Sequence, residues 1–426
     1  MYWEKEWETI ERWRLQEFQL RMVNASIERA RNAEYYKAFN LKPVQSLKDI
    51  TGLPFTHKQD LRDSFPYGFL TVGLDSIVRL HSSSGTTGNP TVVFHTNQDI
   101  DIWANLVARC MYMTGVRKND VFQNTMGYGL FTGGLGFHYG AEKIGALTIP
   151  TGPGNSKRQI WFMQKFGTTV VHILPSYALR LYSNFAELDL EPKKDLKLKI
   201  AFIGSEPHSE GLRKQIEELY GMKAYNSYGL SEVCGPGVAF ECPHQTGMHI
   251  WEDYFYVEII DPKTGEGLPD GEEGELVLTT LRREAMPVIR YRTGDLTRIM
   301  PGTCRCGRTH RRIDRIKGRA DDMLIINGVN IFPVQIEQTI MKIPGVGRNY
   351  LIEIHKENYM DKLMVKIEVD KEFFEGTLSG LTALQHKIME ELKTDLVVSP
   401  VVELVEPGSL PAAEGKAKRV YDLREE

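Results

Sequence analysis

Across roughly the first forty residues, Trp3, Trp7, Ile10, Trp13 and Phe18 recur at helical spacing with Glu, Arg and Gln between them, which predicts a helix. A second helix is predicted to start at Thr56, where Thr56-His57-Lys58-Gln59 has capping-box spacing just after Pro54. Farther on the pattern alternates. Short β-branched or apolar runs at Thr91–Phe94, Val121–Thr125, Ala146–Pro150, Thr169–Leu174, Lys199–Ile203 and Ala224–Ser227 predict strands. Between them lie helical stretches, clearest at Ile100–Met113, Lys157–Lys165, Tyr177–Glu187 and Glu210–Tyr220. Strands alternating with helices predict a mostly parallel sheet flanked by helices.

After residue 250 the pattern changes. Phe255–Ile260, a Pro262-Lys263-Thr264-Gly265 turn and Glu275–Thr280 predict a small antiparallel or barrel-like region. Beyond Gly318, Met323–Ile326, the Asn327-Gly328 turn, a helix from Pro333 and two more strand–helix units predict a tail that folds separately. The expectation is an α/β protein: a large N-terminal domain over 1–320 and a small α+β C-terminal domain over 321–426, joined by a hinge.

Composition narrows the classes. The 426 residues are 42% hydrophobic and 25% charged, ordinary for a globular protein, and the net charge of −4 advertises neither nucleic acid nor an anionic membrane. Charges stand at Glu4, Lys5 and Glu6 where a secretory signal needs an apolar stretch, and no apolar run nears the ~18 residues a membrane span requires. A cytoplasmic location is expected. Five cysteines do not make a disulfide framework in a chain of this length.

Candidate chemistry begins at Ser82-Ser83-Ser84-Gly85-Thr86-Thr87-Gly88-Asn89-Pro90, just before a predicted strand. Small hydroxyl residues and glycines permit a tight loop whose N–H groups converge on an anion. It is not a Walker loop, because no Gly-Lys-Ser/Thr ends it and a strand follows. Taken alone, a flexible surface loop explains it equally well. Four further segments change that balance: Tyr228-Gly229-Leu230-Ser231-Glu232, Arg290-Tyr291-Arg292-Thr293-Gly294-Asp295, Gly318-Arg319-Ala320-Asp321-Asp322 and Gly415-Lys416-Ala417-Lys418-Arg419. Each singly is a turn, an ion pair or a solvated basic end; their order and separations together are hard to credit to chance. Cys242, Cys304 and Cys306 offer three thiolates, and an imidazole would close a tetrahedral zinc set. His244, His249 and His310 are the candidates, and unrelated buried cysteines are the plainer alternative.

In these segments the chain resembles the adenylate-forming superfamily of acyl- and aryl-coenzyme A ligases. Gly127–Gly136, His249–Phe255 and Asp322–Pro333 bring it closer to the phenylacetate–coenzyme A ligase family, and the resemblance runs over nearly the whole chain. It implies ATP, coenzyme A and Mg²⁺ as cofactors and an aryl carboxylic acid as substrate. Ser82, Ser83, Ser84, Gly85, Thr86 and Gly88 would hold the ATP phosphates. Ser205, Glu206 and Pro207 would edge the adenine, with Tyr228 stacking on it and Gly229 beside it. Glu232, with Thr87, would hold Mg²⁺. Asp295 would accept from the ribose hydroxyls, Arg319 would reach ribose or phosphate, Asp321 would be the hinge and Lys416 the catalytic lysine. The resemblance favours His249 as the partner of Cys242, Cys304 and Cys306 in a structural Zn²⁺ site, and it implies a homodimer. Two departures stand out: Asn89 replaces the lysine common in the phosphate loop, and Ala412 and Ala413 replace more polar residues.

Tyr128, Gly129, Phe131, Gly133 and Gly134 are expected to line the acid pocket, since flat glycine walls beside aromatic rings suit an aryl acid. Close helix packing is the other use of such glycines. Phenylacetate is favoured, with indole-acetate or benzoate as alternatives. A rival reading passes the acyl group to a carrier protein or an amine. A non-catalytic nucleotide-binding regulator fits poorly with intact Glu232, Asp295 and Lys416, and a zinc-dependent nucleic-acid module has no basic patch to work with.

Overall fold

A computed structural model describes residues 1–82, 89–206, 208–320, 324–327, 329–357, 360–374, 377–396, 398–411 and 419–424. The chain divides into two compact units: residues 1–173, 191–205 and 221–316, and residues 174–190, 206–220 and 317–426. The fold is mixed α/β, with a large and a small body.

In the larger unit, the hairpin strands β1 (Arg79–Ser82) and β2 (Val92–His95) pair antiparallel on either side of the serine-rich segment. The main sheet is built from β3 (Val121–Asn124), β4 (Leu147–Ile149), β5 (Val170–Ile173), β6 (Ile200–Gly204), β7 (Lys223–Leu230), β8 (Gly235–Glu241) and β9 (Met248–Ile250). Strands β4, β3, β5, β6 and β7 lie side by side in parallel. At β7 the sheet changes sense: β8 and β9 continue it antiparallel. Strands β5 and β6 are buried along their whole length, as the continuous apolar runs require of a sheet covered on both faces. A second, antiparallel sheet joins β10 (Phe255–Ile260), β11 (Gly274–Thr280) and β12 (Tyr291–Thr297).

The predicted first helix is broken in two, Lys5–Glu8 and Arg12–Ala30. The cause is competition for its carbonyls: Thr309 N–H donates to Glu8 O at 3.1 Å, Thr309 Oγ1 to Ile10 O at 2.7 Å, and His310 Nε2 to Trp7 O at 3.0 Å. The buried face is also not the tryptophan stripe. Leu15, Gln19, Val23 and Ile27 point inward at four-residue spacing, while Trp13 is exposed. Nor does Thr56 cap a helix. The helix is Lys58–Asp63, capped at His57, and Thr56 Oγ1 instead donates to Ile289 O at 2.7 Å.

The helix Asn97–Met113 begins at a true capping box, Thr96 with Asp99, a device worth about 1 kcal/mol. Asp99 also accepts the backbone N–H groups of Glu284 and Ala285 at 2.8 and 3.0 Å, tying this helix to the loop between β11 and β12. Beside it runs Thr132–Ile144, a helix that the glycine count disguised. A Cβ on Gly136 would stand 2.5 Å from Pro236 Cγ and 2.7 Å from Trp103 Cζ2, and one on Gly140 would stand 2.6 Å from Val107 Cγ1. These glycines let two helix backbones and a strand approach within side-chain thickness.

In the smaller unit a long hairpin, Val346–Glu357 with Met360–Val369, is flanked by Val401–Val405 and Val420–Asp422, each parallel to its neighbour. The helices Pro333–Ile340 and Leu378–Leu396 pack Ile336, Ile340, Ile388 and Leu392 onto Ile352, Ile354, Val365 and Ile367. The short pair Leu324–Ile326 and Val329–Ile331 precedes them.

Candidate functional site

In an open α/β sheet, ligands bind beyond the carboxyl ends of the parallel strands, where the strand order or sense switches. Ser205, Tyr228, Glu232 and Asp295, expected site residues of the larger unit, lie at or beside this end of the sheet. Gly204 pairs with Ser227 across β6 and β7. Ser205 therefore follows β6 directly, in the left-handed region at φ 65°, and Tyr228 stands next to it at the mouth of β7. Tyr228 OH donates to Asp295 Oδ2 at 2.6 Å, joining two residues 67 positions apart. Both are nine-tenths buried.

Glu232 lies just beyond β7, buried except for an edge, and its Oε1 is 3.4 Å from Lys58 Nζ. One buried carboxylate, completed by substrate phosphates, is the protein side of a usual Mg²⁺ site. Glu232 fits that use, with Lys58 offsetting its charge. Gly229 serves the strand pairing: an added Cβ would overlap the Gly235 carbonyl.

The expected acid loop follows β3. Thr132 Oγ1 and Ser231 Oγ are hydrogen-bonded at 2.9 Å, which ties this loop to the Tyr228–Glu232 segment. On its other side, Ser82 N–H donates to Leu130 O at 2.9 Å, which ties it to the end of β1. Asn124 Nδ2 donates to Gly134 O at 2.7 Å and to Tyr128 OH at 3.1 Å, and His138 Nδ1 lies 3.3 Å from the same phenol. Burial pushes the Tyr128 phenol up to about 12, so it stays neutral. Phe131 is half-exposed and Gly129 is at φ 82°. Gly134 would drive a Cβ to 2.5 Å from Gly127 O, so there the glycine permits close backbone packing, whereas a Cβ at Gly133 would make only ordinary contact with Met126 Cε at 3.9 Å.

Glu206 and Arg319 belong to the smaller unit. Glu206 accepts from Ser176 N and Oγ at 2.5 and 3.0 Å, and burial raises its carboxyl above the ordinary range. Arg319 lies in the two-residue strand Gly318–Arg319. Ser83, Ser84, Gly85, Thr86, Thr87, Gly88, Pro207, Asp321 and Lys416 lie outside the described residues.

At the antiparallel end of the sheet, where Cys242 follows β8 and His249 lies in β9, Cys242, His249, Cys304 and Cys306 bring their ligand atoms within 4.8 Å of one another. Cys242 and Cys304 sulfurs are 3.6 Å apart, and Cys306 Sγ is 3.2 Å from His249 Nε2. A tetrahedral zinc with Zn–S bonds near 2.3 Å sets its sulfurs about 3.7 Å apart. The donors therefore fit a zinc ion. The bond to Cys306, then burial, pushes the Cys242 thiol up, while that same bond and His249 pull Cys306 down to about 2. His249 Nδ1 donates to His310 O at 3.1 Å, the outer bond that fixes a ligating imidazole. His310 is no rival ligand, because its Nδ1 accepts from Glu252 N–H and its Nε2 donates to Trp7 O. His244 is exposed and outside the set.

Lys58, His138 and His310 were not singled out for these roles from sequence, and no local pattern marks them. Lys58 and His310 act through partners from distant segments, and His138 through a phenol ten residues before it.

A family model described as an AMP-binding enzyme matches residues 47–281, and one described as an AMP-binding enzyme C-terminal domain matches 328–424. The chain is 46% identical over 420 residues to a phenylacetate-coenzyme A ligase of Aromatoleum evansii, covering 96% of this chain and 94% of that one. It is 46% identical over 379 residues to a phenylacetate-coenzyme A ligase of Pseudomonas putida, covering 89% and 85%. Among solved structures, a 2-hydroxyisobutyryl-CoA ligase in the postadenylation state, in complex with 2-HIB-AMP, superposes with a TM-score of 0.94 at 30% identity, covering 100% of this chain and 93% of that one.

Proposed function

The chain belongs to the phenylacetate–coenzyme A ligase family of AMP-binding enzymes, and from that premise we propose that the aryl acid it joins to coenzyme A is phenylacetate. The class of reaction is AMP-forming acid–thiol ligation through an acyl-AMP intermediate. A carboxylate is a poor acyl donor until its oxygen is made a leaving group. Its oxygen attacks the α-phosphorus of ATP, the bond to the β,γ-phosphates breaks, and pyrophosphate leaves. The coenzyme A sulfur, its proton given up, then attacks the acyl carbon and AMP leaves.

The Tyr228–Asp295 hydrogen bond carries the site assignment. It sets an aromatic face for adenine beside a carboxylate for the ribose diol, at the mouth of the parallel strands. Glu232 would hold Mg²⁺, which when bound offsets the charge of the phosphates. Lys416 would supply the cation at the reacting phosphate, Asp321 the hinge, and the Ser82–Gly88 segment the phosphate cradle. Cys242, His249, Cys304 and Cys306 would hold a zinc ion in a closed set, which braces the fold and leaves no coordination position for substrate. A cytoplasmic homodimer accompanies this reading.

A panel of phenylacetate, indole-acetate, benzoate and short-chain acids, scored by AMP release with and without coenzyme A, tests it. Phenylacetate should give the highest kcat/KM and AMP release should need coenzyme A. Coenzyme-independent turnover, or a different preferred acid, would overturn the assignment. Asp295→Asn keeps the shape and removes the charge; losing one charge-assisted interaction should raise KM for ATP about 10- to 100-fold. An unchanged KM would remove Asp295 from the ribose.

A further inference from the structure

The loop Gly127–Phe131 poses a mechanical problem. It is expected to seat the acid, yet Leu130 and Phe131 are 57% and 52% exposed, so apolar burial does not anchor its tip. What holds the tip is the Leu130 carbonyl, which receives two donors from one strand end. Ser82 N–H reaches it at 2.9 Å and His81 Nδ1 at 3.1 Å. A carbonyl only accepts, so His81 carries its proton on Nδ1 and leaves Nε2 as a lone pair. That Nε2 has no partner among the described residues.

The ring itself is fully buried, edge-on to His95 and Trp103 at 5.4 and 5.7 Å between centroids. Burial, opposed by the bond to Leu130 and helped by Arg79 and Arg283, holds its pKa below the ordinary value, which keeps the imidazole neutral. Among the described residues the His81 side chain therefore has one polar task, and its strand leads in sequence to the serine-rich segment.

We infer that His81 is a positioning residue for adenylation: with the Ser82 N–H it clamps the Leu130 carbonyl, fixing the acid loop against the strand that leads to the phosphate-binding segment. The inference rests on the acid and phosphate roles proposed above. The reaction needs a carboxylate oxygen held in line with the α-phosphorus, and a displacement near 1 Å costs on the order of 100-fold in rate. A double hydrogen bond at the junction of the two binding segments is placed to prevent that displacement.

Three variants test it. An asparagine amide can place an N–H where Nδ1 stood; a glutamine amide reaches the Nε2 position instead; phenylalanine fills the space with no donor. In acid-dependent pyrophosphate exchange, His81→Gln and His81→Phe should lose about 10- to 100-fold in kcat/KM for the acid, and His81→Asn should stay within about threefold. Hydrogen exchange of residues 126–133 in the ligand-free protein should follow the same ranking: faster in the Gln and Phe variants, close to wild type in Asn. A residue that merely fills the core would be served no better by Asn than by Gln, and that result in either measurement overturns the inference. If the wild type exchanges with no acid, the proposed function falls, while the hydrogen-exchange ranking still decides the clamp.

Discussion

With zinc held as proposed by Cys242, His249, Cys304 and Cys306, stripping it is expected to lower the melting temperature by on the order of 10 °C, through loss of roughly 5 kcal/mol. Isolated zinc fingers owe all their folding energy to the metal; here a large apolar core remains, so only part of that energy is at stake. The damage should spread along a defined path. Tyr2 OH donates to Cys306 O at 2.9 Å, Arg308 Nε to Glu8 Oε2 at 2.7 Å, and Thr309 and His310 hold the carbonyls of residues 7, 8 and 10. The metal loop and the N-terminal segment are thus one folding element, and both should gain protease sensitivity together. Calorimetry with a strong chelator, and of Cys304→Ser, measures the shift. Purified protein without stoichiometric zinc, or a Cys304→Ser variant that melts with the wild type, would dispose of the site.

Lys416→Ala should reduce adenylation about 10²- to 10³-fold, the usual cost of removing one preorganised donor from a developing charge. Carboxylate and α-phosphate repel each other, and the charge moving onto pyrophosphate must be met by a cation. The second step has no such demand, because the acyl-AMP carbonyl is already activated. Thioester formation from synthetic acyl-AMP should therefore keep a rate near that of the wild type. Single-turnover measurement of both steps checks the split, and an equal loss in both would remove this lysine from the phosphate chemistry. Ala412 and Ala413 precede Glu414-Gly415-Lys416, and the lysine on which the expectation rests is present.

The strand–helix alternation was legible in the sequence because strands buried on both faces are written in continuous β-branched runs: β5 and β6 fall within a residue of the predicted bounds. The helix Thr132–Ile144 was not legible. Glycine costs about 1 kcal/mol per helical position relative to alanine, so Gly133, Gly134, Gly136 and Gly140 argue against a helix until the neighbours that demand them are known. Thr56 shows the same limit in small. Its hydroxyl suits a cap, but the Ile289 carbonyl in the loop before β12 is the acceptor it meets, and nothing local records which partner wins. The first helix failed for a third reason: its interruption is imposed by a loop three hundred residues away. Of the candidate site, Tyr228 and Asp295 were legible as motif residues and the structure brings them into contact, while the His81 clamp was invisible because its acceptor is a backbone atom.

The glycines of the helix Thr132–Ile144 divide into two kinds, and under the acid role proposed for its first turn the division bears on how substrate choice can drift. At Gly134, Gly136 and Gly140 any methyl group collides with a backbone carbonyl, a tryptophan or a valine, so mutation there is paid for in folding. At Gly133 the nearest atom to a new methyl is Met126 Cε at 3.9 Å. Divergence toward smaller or larger acids therefore has one inexpensive door on this helix, and laboratory libraries that vary residue 133 together with Met126 should yield folded proteins with altered appetites far more often than libraries built on its neighbours.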